Sequence, residues 1–397
     1  MKTKKIWCIA LSAFLAAVLL FGGGLLLLSA VRQSRAVAYY KSIRMEEGVC
    51  SYFASYYKGQ YLTYLRRSGT AASDTPEFWA REDSEGVSYA TRLSQGFSAY
   101  LKELLVTAAL YDSAATLSSA ERTALSESAR EMLDFRAEGS EKKFNELTAK
   151  YGFTYDDYEK AITILYKSSK AQSAIYGASY EKAPYICDLD GYVKKNYKRV
   201  YLLVLRTETR FVLDENGNRV TEDGRDQITD LTQKEREERA ALVATVRAQI
   251  ENRQNGLDGE DGMMTAGAFY SYIQKYDDAD GRTYTDGYYF SEGSSYTAEL
   301  AEAYPALVEK ALSLSEGEYA EYRDGELVIF LAAAEMSGTP YTASINAPFF
   351  TDLYARAAKA SFAETVALFL PDAVLKEAAS GFDIVGIPYN SEIVYNG

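Results

Sequence analysis

The uncharged run from Ile6 to Val31 constrains this chain before anything else, because it decides on which side of a membrane the remaining residues fold. Lys2, Lys4 and Lys5 precede it, and Arg32 and Arg35 close it. About 20 apolar residues at ~1.5 Å of helical rise each cross the hydrocarbon core of a bilayer, and this run is longer. The basic leader places the N-terminus inside and everything after Val31 outside. A cleaved signal peptide is the competing reading, since Leu28-Ser29-Ala30 offers a weak cleavage site. The run exceeds the ~7–15 residues of a usual signal core, so residues 1–35 are expected to be a cytoplasmic tail and a retained transmembrane helix. Both readings export the rest, and the expected localisation is the cell membrane, single-pass, with the bulk of the chain extracytoplasmic. Lipid attachment is not expected, because Cys8 sits at the start of the run and not after it.

A length of 397 residues, 47% hydrophobic and 25% charged, fits two or three ordinary globular domains. The net charge is −13, and removing the five basic residues of positions 1–35 leaves −18 for the exported part. Nucleic acid is excluded as a partner, and close approach to an anionic membrane is discouraged overall. Histidine is absent altogether. No Ser-His-Asp or Cys-His catalytic arrangement and no His-Cys metal site can be built from this chain, and no cofactor is expected. Cys50 and Cys187 can pair outside the cytoplasm or stay as free thiols in packed helices; two cysteines so far apart fix neither. The 34 tyrosines either furnish an adaptable peptide-binding surface or replace phenylalanine in ordinary cores and rims.

From Ala36 to about Gly191 the periodicity is helical, with no strand pattern. A first helix is expected near Ala38 to Arg67, with Tyr40, Ile43, Tyr52, Phe53, Tyr56, Tyr57 and Tyr61 at three- and four-residue spacing. A second covers about Gly86 to Tyr111. Ser118 and Glu121 form a capping box for the third, a short helix precedes Tyr151-Gly152, and Thr154-Tyr155-Asp156-Asp157 opens one lasting to about Tyr176. Near Lys198 the period changes to two: Val200, Leu202 and Val204 share one face of a strand, and Tyr201, Leu203 and Leu205 the other. A hairpin turning at Asn216-Gly217, a capping box from Thr232 to Glu235, and a Gly- and Asp-rich loop from Asn255 to Gly262 follow. Ser337 to Asn346 reads as a linker, Phe349 to Leu370 as a helix and Phe382 to Val385 as a closing strand. Asp214-x-Asn216-x-Asn218 begins like a calcium loop, but Arg219 and Arg225 stand where glycine and a bidentate acid are needed.

The tract KYDDADGRTYTDGYYF (275–290), followed by ALVEKALSLSEGEYAEYRDGELVIFLAAA (306–334), resembles the parvulin-type prolyl isomerases. The shared order is helix, Ser/Asp turn, glycine-aromatic strand, helix ending Leu-x-x-Gly-Glu, last strand. The resemblance covers 198–335, and the flanking helices, including YGFTYDDYEKAITILYKSS, resemble the chaperone part of SurA-type and Gram-positive extracytoplasmic foldases. It places Asp278 where that family carries its active-site Cys or Asp, Phe290 at the end of the following strand, and Leu307 where a bulky apolar residue meets the substrate proline. The family's two histidines are replaced, the first by Tyr201 and the second by Leu327. Asp278 can equally be a turn aspartate bonded to its own backbone.

The expected fold class is α+β: a transmembrane helix (1–35), a discontinuous helical domain (36–196 and 337–397), and an inserted parvulin-like domain (197–336). The resemblance implies a membrane-anchored foldase or chaperone for unfolded, newly exported or proline-containing polypeptides, with homo-oligomerisation left open. Phe290, Leu307 and Leu327 would contact the client. A prolyl barrier of about 18–20 kcal/mol falls when the twisted imide is desolvated and polarised, with no nucleophile or metal. A tyrosine hydroxyl at position 201 can donate a hydrogen bond there, and Leu327 cannot. Two alternatives remain: an active isomerase using Tyr201 and Asp278, and a non-catalytic scaffold of a membrane complex.

Overall fold

The computed structural model describes residues 36–254, 265–279, 286–336 and 347–394. The expected anchor at 1–35, the loop at 255–262 and the linker at 337–346 lie outside the described residues, and among those described no helix is long and apolar enough to cross a membrane. The protein is α+β, and it divides into one unit reaching Ala178 and resuming at Lys359, and a second formed by Ser179–Ala358.

The first unit opens with strands β1 (Ala38–Tyr40) and β2 (Ile43–Met45), then helices α1 (Glu47–Arg67), α2 (Pro76–Ala80), α3 (Tyr89–Ala114), α4 (Ser119–Ala137), α5 (Glu141–Thr148) and α6 (Tyr155–Tyr176). The expectation of a helix from Ala38, and of no strand before Gly191, is corrected here. Ala38, Tyr40, Ile43 and Met45 are buried, while Tyr39 is half-buried and Arg44 exposed. That is a two-residue alternation, and Lys41 turns the hairpin with a left-handed φ of 47°. The capping box at Ser118 forms as expected and a second one opens the helix at Thr154, each hydroxyl accepting from the third residue's N–H while Glu121 or Asp157 accepts from the cap.

Lys58, 1% exposed, is the polar centre of this unit. Its ammonium lies 2.6 Å from Asp74 and donates to the Val385 and Ile387 carbonyls at 2.8 and 2.7 Å. Asp74 also accepts from the Trp79 indole at 2.8 Å. A buried cation is tolerated only when so surrounded, and removing one partner of such a pair costs about 3–5 kcal/mol.

The second unit starts with α7 (Ala183–Ile186) and α8 (Leu189–Asn196), then strand β3 (Lys198–Arg206). An outlying hairpin follows, with β4 (Thr209–Phe211) paired to β7 (Ile228–Asp230) and β5 (Thr221–Glu222) to β6 (Arg225–Asp226). The expected Asn-Gly turn sits inside it: Asp214 accepts from the Asn216 and Asn218 N–H groups at 2.8 Å, and a bridge joins Leu213 to Arg219. Then come α9 (Gln233–Gln254), α10 (Ala266–Tyr276), β8 (Tyr288–Phe290), α11 (Ala298–Ala303), α12 (Pro305–Ser313), β9 (Tyr319–Asp324) and β10 (Leu327–Ala334). The main sheet is antiparallel in the order β8-β3-β10-β9. Gly325, at φ 55°, leads the two-residue loop between β9 and β10, the place where a type II′ turn takes glycine.

Helix α13 (Ala347–Phe369) contributes its first half to this unit, and its second to the helical one. The unit boundaries therefore fall at 178 and 358, not at the expected 196 and 336. The reason is a shared aromatic cluster, in which Val193, Tyr197, Tyr289, Phe349 and Leu353 are all buried. Asp352, 6% exposed, ties it together by accepting from Tyr197 and Ser294 hydroxyls at 2.8 Å and from Ser295 Oγ and N–H at 2.7 and 3.0 Å. Beyond it, β11 (Val374–Leu375) pairs with β1, and α14 (Glu377–Ser380) follows. Phe382 to Val385 is not a strand but a turn-rich segment, with Ile384 buried in the helical core.

Candidate functional site

The strand β3 alternates strictly, and its two faces have different neighbours. Tyr201, Leu203 and Leu205 join Val328, Phe330 and Ala332 of β10 beneath α9 and α10, where Val246, Ile250, Phe269 and Ile273 close the layer. Val200, Leu202 and Val204 face the other way with Ile329 and Leu331, covered in part by Leu307, Val308 and Ala311 of α12. On that second face the layer leaves a cavity of about 230 Å³. Its floor is Leu202, Val204, Leu327 and Ile329, its walls Leu300, Tyr304, Leu307 and Tyr288, and Arg206 and Ala279 stand at its edge. The space is smaller than the ~300–1,000 Å³ of drug-sized ligand pockets and suits one inserted side chain.

The register explains why these residues meet. Leu327 pairs with Arg206 and Ile329 with Val204, and directly opposed residues share a face. Gly287, at φ 73°, lets the chain enter β8 against this strand; an added Cβ would lie 3.0 Å from the Val200 carbonyl oxygen. Arg206 is the pocket's charged residue. Its guanidinium is 2.7 Å from Glu326 and 4.7 Å above the Phe211 ring.

Asp277 and Asp278 have a structural task beside the cavity. β8 pairs with β3 only at Lys198, Arg199 and Val200, leaving the same edge further along without a strand. There the Val204 N–H donates to Asp277 Oδ1 at 2.8 Å, the Asp278 N–H donates to the Val204 carbonyl at 2.9 Å, and the Arg206 N–H donates to Asp278 Oδ2 at 2.9 Å. The two aspartates thus continue the ladder where β8 stops, because a strand's inner N–H groups must find acceptors. Arg239 adds an ion pair to Asp278 at 3.1 Å, and the Ala279 N–H donates to Asp277 Oδ2 at 3.1 Å.

The sequence-predicted residues separate accordingly. Leu307 and Leu327 line one cavity. Phe290 is fully buried in the layer behind it. Asp278 holds the β3 edge, its Oδ2 taken by Arg206 N–H and Arg239. Tyr201 points to the opposite face, where its hydroxyl accepts from Arg199 Nη2 at 2.7 Å. Burial pushes its phenol above the usual value, and Arg199 offsets part of that rise. Along the strand, three residue steps, roughly 10 Å, separate it from the Asp278 contact at Val204, and five, roughly 17 Å, from the one at Arg206. The geometry does not bring Tyr201 and Asp278 together as an acid–base pair. Leu202, Val204, Tyr288, Leu300, Tyr304 and Ile329 are the site residues that the sequence reading missed. The signal for them was present in the alternation of β3, which puts Leu202 and Val204 on the face away from Tyr201.

A larger cleft in the same unit, about 690 Å³, is walled by Lys194, Lys195, Lys198, Glu292, Glu316 and Glu335. With Arg199 its lining carries four basic side chains against three acidic ones, and no predicted site residue reaches it. Cys50 and Cys187 are free thiols, and burial pushes Cys50 up to about 12. Among the described residues no cluster of carboxylates and thiols could hold a metal ion.

Fold and site together define an α+β protein whose antiparallel sheet is sealed by helices on one face and open at an apolar, single-side-chain pocket on the other. Comparison with protein-family models, curated proteins and solved structures finds no match to this chain.

Proposed function

We propose that this protein is a membrane-anchored extracytoplasmic foldase or chaperone, and that the pocket between β3, β10 and α12 takes an apolar or prolyl side chain of an unfolded client. The observation carrying this reading is the pocket's lining, aliphatic and tyrosyl around one paired arginine. Such a surface gains by removing apolar area from water, without demanding a fixed client sequence. The element order of the second unit supports it too: strand, helix, aspartate turn, glycine-aromatic strand, helix and closing hairpin follow the order of the parvulin resemblance. In this reading the unit is a binder with weak or no isomerase activity, since the cavity has no imidazole and Asp278 is engaged by the backbone and Arg239.

The test is one preparation of the full-length chain in detergent or nanodiscs, assayed for suppression of client aggregation and for cis–trans exchange of a proline peptide. Suppression that falls with Leu307→Asp or Leu327→Asp, with exchange at the uncatalysed rate, is expected. Exchange accelerated and lost in Asp278→Ala would replace the binder with an isomerase. One stoichiometric partner and no client capture would replace it with a scaffold.

A further inference from the structure

The sheet formed by β2, β1 and β11 has a buried side and an outward side, and the outward side has an unusual composition for so acidic a chain. Tyr39 pairs directly with Arg44 on one neighbour and Val374 on the other, so these three side chains form a row across the sheet. Lys376 lies 5.9 Å from the Tyr39 ring centroid, and Lys41, at the hairpin turn, is 5.1 Å from Tyr40 and 4.9 Å from Phe369. Val374 is 38% exposed, and Lys41 and Arg44 are exposed and make no ion pair among the described residues. Two nearby acids are occupied, Glu46 by Lys160 at 3.1 Å and Asp112 by Lys167 at 2.7 Å, while Glu47 at the start of α1 is exposed. Asp372 and Glu377 flank β11 at its two ends.

The position in the chain adds a distance limit. Five residue steps separate Val31, the last residue of the uncharged run, from Ala36, and at ~3.4 Å each they span roughly 17 Å at full extension. Val37 already donates to the Met45 carbonyl at 2.9 Å, so the sheet begins at the end of that tether. A tyrosine beside an aliphatic residue and flanked by basic side chains is the composition favoured at the headgroup layer.

We infer that the outward face of the β2-β1-β11 sheet docks on the anionic headgroups of the bilayer that holds the anchor. The inference rests on the membrane-anchor element of the proposed function. Docking offsets the repulsion expected of a chain of net charge −13 by presenting its local cations to the lipid.

The test uses the full-length chain carrying Trp7→Phe and Tyr39→Trp, leaving the buried Trp79 as an internal reference. It is reconstituted into vesicles of phosphatidylcholine, with or without phosphatidylglycerol, containing headgroup nitroxide lipid. Stronger quenching of position 39 in the anionic vesicles is expected. Lys41→Gln with Arg44→Gln should lower the docked-to-free ratio by about fivefold per cation, and Lys41→Glu with Arg44→Glu by more. Unchanged Trp79 emission and melting temperature certify each variant as folded. Carbonate-resistant flotation separates the two readings: a chain that does not float overturns the anchor and this inference with it. A chain that floats, but is quenched equally in both lipids and in both charge variants, overturns the docking alone. Quenching that instead falls as protein density rises would assign the face to a second copy and overturn it as well.

Discussion

The two faces of the main sheet are built from alternate residues of the same strands, yet one is closed core and the other carries a cavity. Beneath α9 and α10, Leu203, Leu205 and Phe330 are fully buried in one packed cluster. On the other side α12 is only nine residues long, covers the far end of β3 and leaves Leu202, Val204 and Leu327 around open space. The difference comes from how much helix covers each face. A strand shifted by one residue would exchange the two roles completely.

The largest way to test that contrast is Leu203→Ala, which should cost about 2–5 kcal/mol in denaturant unfolding by opening a void on the sealed face. Client affinity, measured where the variant is still folded, should be unchanged. Asp277→Ala comes next, at about 1–3 kcal/mol, because the Val204 and Ala279 N–H groups both lose their acceptor. If stability is unmoved, the aspartates are not what continues the ladder.

Acid separates the sheet from its lateral anchor. Burial raises the Asp352 carboxyl, but hydrogen bonds from Ser295, Ser294 and Tyr197 outweigh it and hold the group below its ordinary value. A depressed carboxylate contributes stability that is complete above the unfolded value near pH 4 and fades as pH falls through the folded one. The melting temperature of the wild type should therefore drop more steeply below about pH 4 than that of Asp352→Asn, and parallel curves would remove this role.

Leu327→Ala is expected to cost only about 1 kcal/mol of stability, since its side chain is half-buried, while weakening client binding. Tyr201→Phe should be the mildest change, under about 1 kcal/mol, with neither binding nor proline exchange affected. A large loss of exchange in that variant would return Tyr201 to the chemistry.

Much of the fold was legible because its causes are local. The capping boxes at Ser118 and Thr232, and the helix start at Thr154, each lie within four residues, and the reciprocal bonds form. The β1–β2 hairpin was not legible. Tyr40 and Ile43 sit three apart as on a helix face, and the partner that fixes β1 as a strand, Val374–Leu375, is remote in sequence. For the site, alternation in β3 reveals two faces, and Tyr201, at the position matched to a histidine, stands on the face opposite the cavity. What decides is the placement of α9, α10 and α12, which no short motif encodes. Leu307 and Leu327 came out together because an apolar helix position and an apolar strand position survive small errors of alignment.

The Lys58 clamp sets an order of assembly. Its carbonyl partners at Val385 and Ile387 are 327 and 329 positions later in the chain. At roughly 5–20 residues per second, they follow Lys58 out of the ribosome by about 16–65 s. Throughout that interval the ammonium lacks two of its acceptors, and by its end all of Ser179–Ala358 has been made, ahead of those two carbonyls. The first helices to be made are thus the last to be finished, and a protein proposed to shelter unfinished chains is for some tens of seconds one of them.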